Sequence, residues 1–183
     1  MSSEIMSLEM DVFCLLLLIR ILYQMYINRE QNDHWNYFYY TIAWACVYLF
    51  MDAIWIMNVK HLLTFSKIQS GIFNSFYFCS LAMLVCSWYV YVQKTLHSAV
   101  LKHKKILVLT FIPLIFFIGS SLLSYWTHGL FVIDQAGNYH RGKLLPFYFL
   151  ILFAYILYLS IKAGYLSKKA KNYLYQKEYK VIV

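Results

Sequence analysis

The sequence predicts an all-α fold, a polytopic transmembrane helical bundle of about five spans. Of the 183 residues, 62% are hydrophobic and only 13% are charged, and the mean hydropathy is +0.57. Soluble domains are nearer half apolar and a quarter charged. Five stretches are apolar over about 20 residues, the length that a helix needs to cross a hydrocarbon core of about 30 Å. We therefore expect residues 1–183 to form a single transmembrane domain, with lipid covering much of its apolar surface.

Each apolar stretch is expected to form one helix, because a backbone exposed to lipid must satisfy its hydrogen bonds within itself. The spans are predicted near residues 8–27, 36–57, 70–93, 106–125 and 146–165. Many Tyr and Trp residues cluster near the span ends, where amphipathic rings favour the headgroup region. Pro146 stands where the fifth helix starts, a position at which its missing N–H costs little. Pro113 stands midway along the fourth span and is the candidate kink.

The distribution of basic residues predicts the orientation of the bundle. With the N-terminus outside, the inside segments hold ten Lys and Arg and the outside segments hold four. Cytoplasmic loops carry the excess of basic residues, so we expect the N-terminus outside and the C-terminus inside. Residues 166–183 then form a basic cytoplasmic juxtamembrane segment. The sequence reaches an apolar run at Val181-Ile182-Val183, and we expect either that a longer protein is cut here or that a short amphipathic tail lies on the membrane.

The formal charge of +8 does not indicate nucleic-acid binding. The basic residues fall in loops and near the C-terminus, where they act as topology signals and as groups that face lipid headgroups. The expected partner is the lipid bilayer. The aromatic-rich helix faces suit contacts in a homodimer and contacts with lipid equally well.

Polar side chains inside the spans are candidates for a ligand or sensing pocket, because burying them in a membrane is expensive. The candidates in the outer half of the bundle are Asp52 on the second span, Asn74 on the third, and Ser120, Ser121 and Ser124 on the fourth. They could line one polar cavity that opens outward. The alternative is hydrogen bonding between helices without a ligand. Arg20, in the inner half of the first span, is interpreted as snorkelling to the cytoplasmic headgroups.

The loop between the fourth and fifth spans predicts an extracytoplasmic β-hairpin at residues 130–145. Residues 130–134 are β-prone, and residues 139–145 could pair with them across the turn Gln135-Ala136-Gly137-Asn138. Such a hairpin would cap the cavity and would add Asp134, Tyr139 and Arg141 to the candidate pocket. A solvated loop that only closes the bundle is the alternative.

The sequence predicts no catalytic residue, no metal site and no cofactor. The six histidines lie in loops or at span edges, whereas a bis-histidine haem needs ligands inside helices. The HExxH motif, a Gly-rich phosphate loop and a nucleophile elbow are absent. We therefore expect that this chain is not itself an enzyme.

Eight residues of the loop between the last two spans form a pattern. They are Thr127, Gly129, Phe131, Ile133, Asp134, Tyr139, Arg141 and Gly142. The pattern resembles the outward loop in the multi-pass N-terminal sensor region of bacterial GGDEF diguanylate cyclases and of related sensor histidine kinases. Weaker points of resemblance in the spans are Asp52, Asn74, Trp88, Tyr91 and Pro113. The resemblance covers about residues 36–158.

The resemblance implies a signal-input module in a bacterial plasma membrane. Such a module would bind an unknown small ligand at its outer face, or respond to a membrane property, and would relay the signal to a cytoplasmic output domain. No GGDEF signature and no kinase ATP-binding motif occur in this chain, so diguanylate cyclase activity would belong to further sequence. The alternatives are a small transporter subunit or an accessory membrane protein without a ligand. The lack of internal repeats and the odd number of spans disfavour a transporter built from inverted repeats.

Overall fold

The computed structural model contains five long helices and one two-stranded sheet, and it describes residues 3–27, 33–59, 62–63, 65–96, 104–135 and 139–169. The helices are α1 (Ser3–Ile27), α2 (Asp33–Val59), α3 (Lys67–Thr95), α4 (Lys104–Thr127) and α5 (Leu145–Lys169). The strands β1 (Phe131–Ile133) and β2 (Tyr139–Arg141) lie between α4 and α5. The prediction of a mostly helical chain is confirmed.

All five helices are long and apolar enough to cross a membrane. The ranges that qualify are Leu8–Ile27, Asn36–Asn58, Lys67–Thr95, Thr110–Thr127 and Leu145–Leu166. The helices run a few residues past the predicted spans, because hydropathy marks only the apolar centre of a helix. At α3 the extension has a visible cause: the Ser66 side chain accepts a hydrogen bond from the Gln69 amide, and the Gln69 side chain accepts one from the Ser66 amide. This reciprocal capping starts the helix before its apolar part.

Helix α3 is the centre of the bundle. It packs against α2, α4, α5 and β1, while α1 packs on α2. The two strands lie where α4 ends and α5 begins, and we call this end of the bundle the strand end. The opposite end, where α3 and α5 finish, is called the far end.

Two apolar clusters hold the helices together. The cluster near the strand end is built around Phe78, Phe117, Phe131 and Tyr148, all of them buried. The hydroxyl group of Tyr148 donates a hydrogen bond to the Phe78 carbonyl, so the buried phenol has a partner. The cluster near the far end comprises Tyr89, Val92, Leu96, Leu159 and Ala163.

The two strands pair antiparallel, with Phe131 opposite Arg141 and Ile133 opposite Tyr139. The Gly142 amide donates to the Leu130 carbonyl at 2.8 Å and extends the pairing by one bond. A Cβ atom at position 142 would lie 2.2 Å from the Gly129 carbonyl oxygen, so this close approach requires glycine.

Two sequence predictions reach the limits of the described residues. The central turn residues 136–138 lie outside them, as does the basic segment beyond residue 169. Helix α4 continues as one helix through Pro113, and the kink at this residue stays a prediction. Helix α5 begins at Leu145, which places Pro146 in its first turn, as expected.

Candidate functional site

Two acidic and two tyrosine side chains meet in the strand-end half of the bundle, and we call them the acidic–tyrosine cluster: Asp11, Tyr48, Asp52 and Tyr77. The Asp52 carboxyl group lies near the Asp11 carboxyl group and the Tyr77 hydroxyl group. The hydroxyl oxygens of Tyr48 and Tyr77 lie 3.3 Å apart. Two carboxyl groups facing each other between apolar helices are expensive to bury, which makes this cluster the first functional candidate.

Helical spacing explains how α2 contributes to this cluster. Tyr48, Asp52 and Trp55 follow one another at intervals of four and three residues, so they share one face of α2. That face meets Tyr77 of α3, whose ring lies 5.4 Å from the Tyr48 ring between centroids. Asp11, near the start of the apolar part of α1, completes the cluster.

A chain of aromatic rings connects the cluster to the strands. The Trp55 ring stacks on Tyr77 with centroids 6.3 Å apart, and it meets Tyr139 of β2 edge to face at 5.8 Å. Tyr139 in turn stacks on Phe131 of β1 at 6.5 Å. The strand pair therefore contacts the acidic–tyrosine cluster through Trp55.

Burial changes the acidity of Tyr139, which lies outside the candidate spans. Its half-buried position raises the pKa of the phenol above the ordinary value, and the nearby Arg141 guanidinium lowers it by a smaller amount. The Tyr139 hydroxyl thus stays protonated over the physiological pH range and can donate a hydrogen bond.

Ser124 of α4 forms hydrogen bonds that link this helix to β1 and to the residue before it. Its hydroxyl oxygen accepts hydrogen bonds from the Leu130 amide at 2.8 Å and from the Phe131 amide at 3.1 Å. All three residues are fully buried, so water cannot replace these bonds. The sequence placed Ser124 among the pocket candidates, but no local spacing reveals a bond to backbone groups six and seven residues ahead.

Three of the predicted pocket residues bond within their own helix. The Asn74 side-chain amide donates to the Ser70 carbonyl at 2.8 Å. Ser120 and Ser121 both donate to the Phe117 carbonyl, at 3.0 and 2.7 Å. Such bonds to the preceding turn satisfy a hydroxyl group without any partner helix. The side-chain oxygen atoms of Asn74 and Ser70 are buried and have no partner among the described residues.

The other predicted residues lie at the surface of the strands. The Asp134 carboxylate is 3.3 Å from the His140 ring nitrogen, and both side chains are substantially exposed. Arg141 is exposed as well. The structure thus connects Tyr139 to the acidic–tyrosine cluster, which contains Asp52, through Trp55. It places Asp134 and Arg141 at the surface of the strand pair. Arg20 is exposed on α1, and the residue of α1 that meets Asp52 is Asp11.

Sequence reasoning missed Asp11, Tyr48, Trp55 and Tyr77. Asp11 falls inside the first predicted span, so its charge is a signal that the sequence does carry. Tyr48 and Trp55 carry a readable signal, since both share a helix face with Asp52. The contact with Tyr77 depends on which helices are neighbours, and the sequence does not contain that information directly.

The functional groups of the acidic–tyrosine cluster are carboxyl groups and phenol hydroxyl groups. No set of three His, Cys, Asp or Glu side chains converges as a metal site in the part of the chain that the structure describes. The carboxyl and phenol groups can exchange protons or accept hydrogen bonds from a ligand. One carboxylate oxygen of Asp11 is buried without a partner among the described residues and is available to such a ligand.

Comparisons with protein families, with curated proteins and with solved structures found no match to this chain.

Proposed function

We propose that the chain is a membrane-embedded signal-input module, which receives a signal at its outer face and relays it to a cytoplasmic output domain of the diguanylate cyclase type. The observation that carries the proposal is the series of ring contacts from Tyr139 through Trp55 to Tyr77, whose hydroxyl group lies near Asp52. In this proposal the strand end faces outside and forms an extracytoplasmic hairpin. The far end faces the cytoplasm, in agreement with the distribution of basic residues.

The contacts give a route by which a signal could travel. A small movement of the strands would shift Tyr139, and with it the Trp55 ring that lies between Tyr139 and Tyr77. A packed bundle responds to such a shift by choosing between discrete arrangements rather than by deforming continuously. A ligand favours one arrangement only to the extent that it binds that arrangement more tightly.

Unsatisfied polar atoms in this half of the bundle support a ligand-responsive site. They are one carboxylate oxygen of Asp11 and the side-chain oxygens of Ser70 and Asn74, each without a partner among the described residues. Native proteins leave few buried polar atoms unpaired. A ligand, or a second packing arrangement, would supply the missing donors.

The test joins the full chain in frame to a diguanylate cyclase domain and measures cyclic di-GMP in cells. We expect Asp52→Asn to change the output by about 5-fold or more, the lower limit of typical allosteric coupling. Ser120→Ala is the matched control, because its hydroxyl bonds only within α4, and its output should equal that of the parent. Unchanged output from Asp52→Asn, at equal amounts of folded protein, would contradict the proposal.

A second candidate function is proton- or cation-coupled transport, and the facing carboxyl groups of Asp11 and Asp52 favour it. Acidic side chains inside a membrane bundle often mark ion pathways. Ion flux into proteoliposomes that carry the chain, above that of empty vesicles and reduced by Asp52→Asn, would support transport instead of sensing.

A further inference from the structure

A second polar site lies at the far end of the bundle, between α3 and α5. The Lys162 ammonium group donates a hydrogen bond to the Gln93 side-chain oxygen at 2.7 Å. Gln93 is fully buried. The side-chain nitrogen of the same amide is buried and has no acceptor among the described residues. The site thus contains the hydrogen-bonded Lys162 ammonium group and, beside it, the Gln93 side-chain N–H group, which lacks an acceptor among the described residues.

The orientation of the Gln93 amide follows from its neighbour. An ammonium group can only donate hydrogen bonds, so the amide oxygen must face Lys162. The reversed amide would set two donors against each other. The Tyr89 hydroxyl approaches the amide, but it is not an acceptor at hydrogen-bonding geometry. The Gln93 side-chain nitrogen is therefore held as a donor without an acceptor, and burying such a donor costs free energy.

The charge that α3 and α5 bring to the site is positive. Helices α3, α4 and α5 contain no Asp and no Glu. The Lys162 ammonium also lies 5.8 Å above the Tyr158 ring, whereas the ammonium group of the neighbouring Lys94 lies 5.1 Å above the Tyr37 ring of α2. None of the three helices brings a carboxylate to the site. A ligand that suits it must offer several acceptor oxygens and a negative charge, and a phosphate group has both properties.

The depth of the site matches that of lipid headgroups. Lys162 stands about one turn before Leu166, where the fifth candidate span ends. Gln93 stands two residues before Thr95, where α3 ends. Basic pockets between helices at a membrane boundary can bind anionic headgroups. We propose that Lys162 and Gln93 form a phosphate-binding site between α3 and α5, occupied by the headgroup of an anionic phospholipid.

The test measures binding to the purified full chain in detergent by native mass spectrometry. The probes are phosphatidylglycerol, diacylglycerol, which lacks the phosphate, and inorganic phosphate alone. We expect phosphatidylglycerol to be retained and diacylglycerol to be lost. Inorganic phosphate that displaces phosphatidylglycerol at millimolar concentration would identify free phosphate as a ligand of the same site. Failure to displace it would support the lipid as the source.

Two variants and one control make the assignment specific. Lys162→Gln and Gln93→Glu should each weaken phosphatidylglycerol binding by about ten-fold or more, the effect of losing one charge-assisted hydrogen bond. Gln93→Glu should keep its fold, because the new carboxylate pairs with Lys162, and circular dichroism checks this. Lys143→Gln removes the same charge at an exposed position of the strand end and should change nothing. Equal losses in Lys162→Gln and Lys143→Gln, or equal retention of diacylglycerol, would overturn the proposal.

Discussion

Trp55 of α2 and Tyr139 of β2 meet edge to face, with ring centroids 5.8 Å apart. This contact joins the strand pair to the packed interior of the bundle. Trp55 also stacks on Tyr77, whose hydroxyl group lies near Asp52. Trp55 and Tyr77 thus lie between the strands and two half-buried carboxyl groups, and several testable consequences depend on how firmly the strands are held.

Ser124→Ala should destabilise the chain by about 1–3 kcal/mol, because two buried amides, those of Leu130 and Phe131, lose their acceptor. Thermal unfolding in detergent, followed by circular dichroism, measures the effect. Ser120→Ala removes a hydroxyl that bonds only to a carbonyl of its own helix and serves as the control. If the two variants unfold at the same temperature, Ser124 does not anchor the strands.

Gly142→Ala should disturb the strand pair more than any other glycine-to-alanine change in this region. The added methyl group would lie 2.2 Å from the Gly129 carbonyl oxygen, which is backbone and cannot move aside easily. Gly119→Ala is the matched control, since a Cβ atom there meets nothing within 4 Å and alanine favours a helix. Protease cleavage between α4 and α5 should accelerate in Gly142→Ala alone, and equal cleavage rates would contradict the packing described for β2.

High pH should destabilise the folded chain, because the half-buried Tyr139 phenol then ionises. Burial raises the pKa of this phenol above its ordinary value of 10.0. The folded state therefore favours the protonated form, and the resulting stability is present below about pH 10 and is lost as the pH rises through the folded-state pKa. Unfolding temperatures of the parent and of Tyr139→Phe, compared from pH 8 to pH 11, should diverge at the alkaline end as the parent loses more stability. Parallel curves would show that Tyr139 is not buried as described.

The sequence predicted the helices well because hydropathy and length are local properties. All five helices were predicted, and their bounds differ most at the start of α1 and at the end of α5. At α3, the polar residues Ser66 and Gln69 extend the helix beyond its apolar part. Facing side chains are harder to predict. Asp52 was singled out for its charge, but its partner Asp11 lies on another helix, and no pattern within one helix determines which helices pack together.

The candidate pocket was predicted only in part for a related reason. Ser120 and Ser121 stand at the expected depth, but a hydroxyl inside a helix can bond to the carbonyl of the preceding turn. Ser124, only one turn further along, instead holds the strands. The direction of a hydroxyl depends on the tertiary partner that is available, so residue type and depth do not separate these roles. The far-end pair of Gln93 and Lys162 was likewise invisible to sequence reasoning, because 69 positions separate the two residues.

The most direct test of the relay is a double-mutant cycle on Trp55 and Tyr139 in the full chain joined to a diguanylate cyclase domain. Trp55→Ala, Tyr139→Ala and the double variant are compared by cyclic di-GMP output at equal amounts of folded protein, with Phe153→Ala, an exposed aromatic of α5, as the control. Residues in contact are expected to show a coupling of about 0.5 kcal/mol or more. We expect each single variant to change the output, the double variant to change it no further, and Phe153→Ala to leave it unchanged. Additive effects of the two substitutions, or no effect of either, would contradict a signal that passes through this contact.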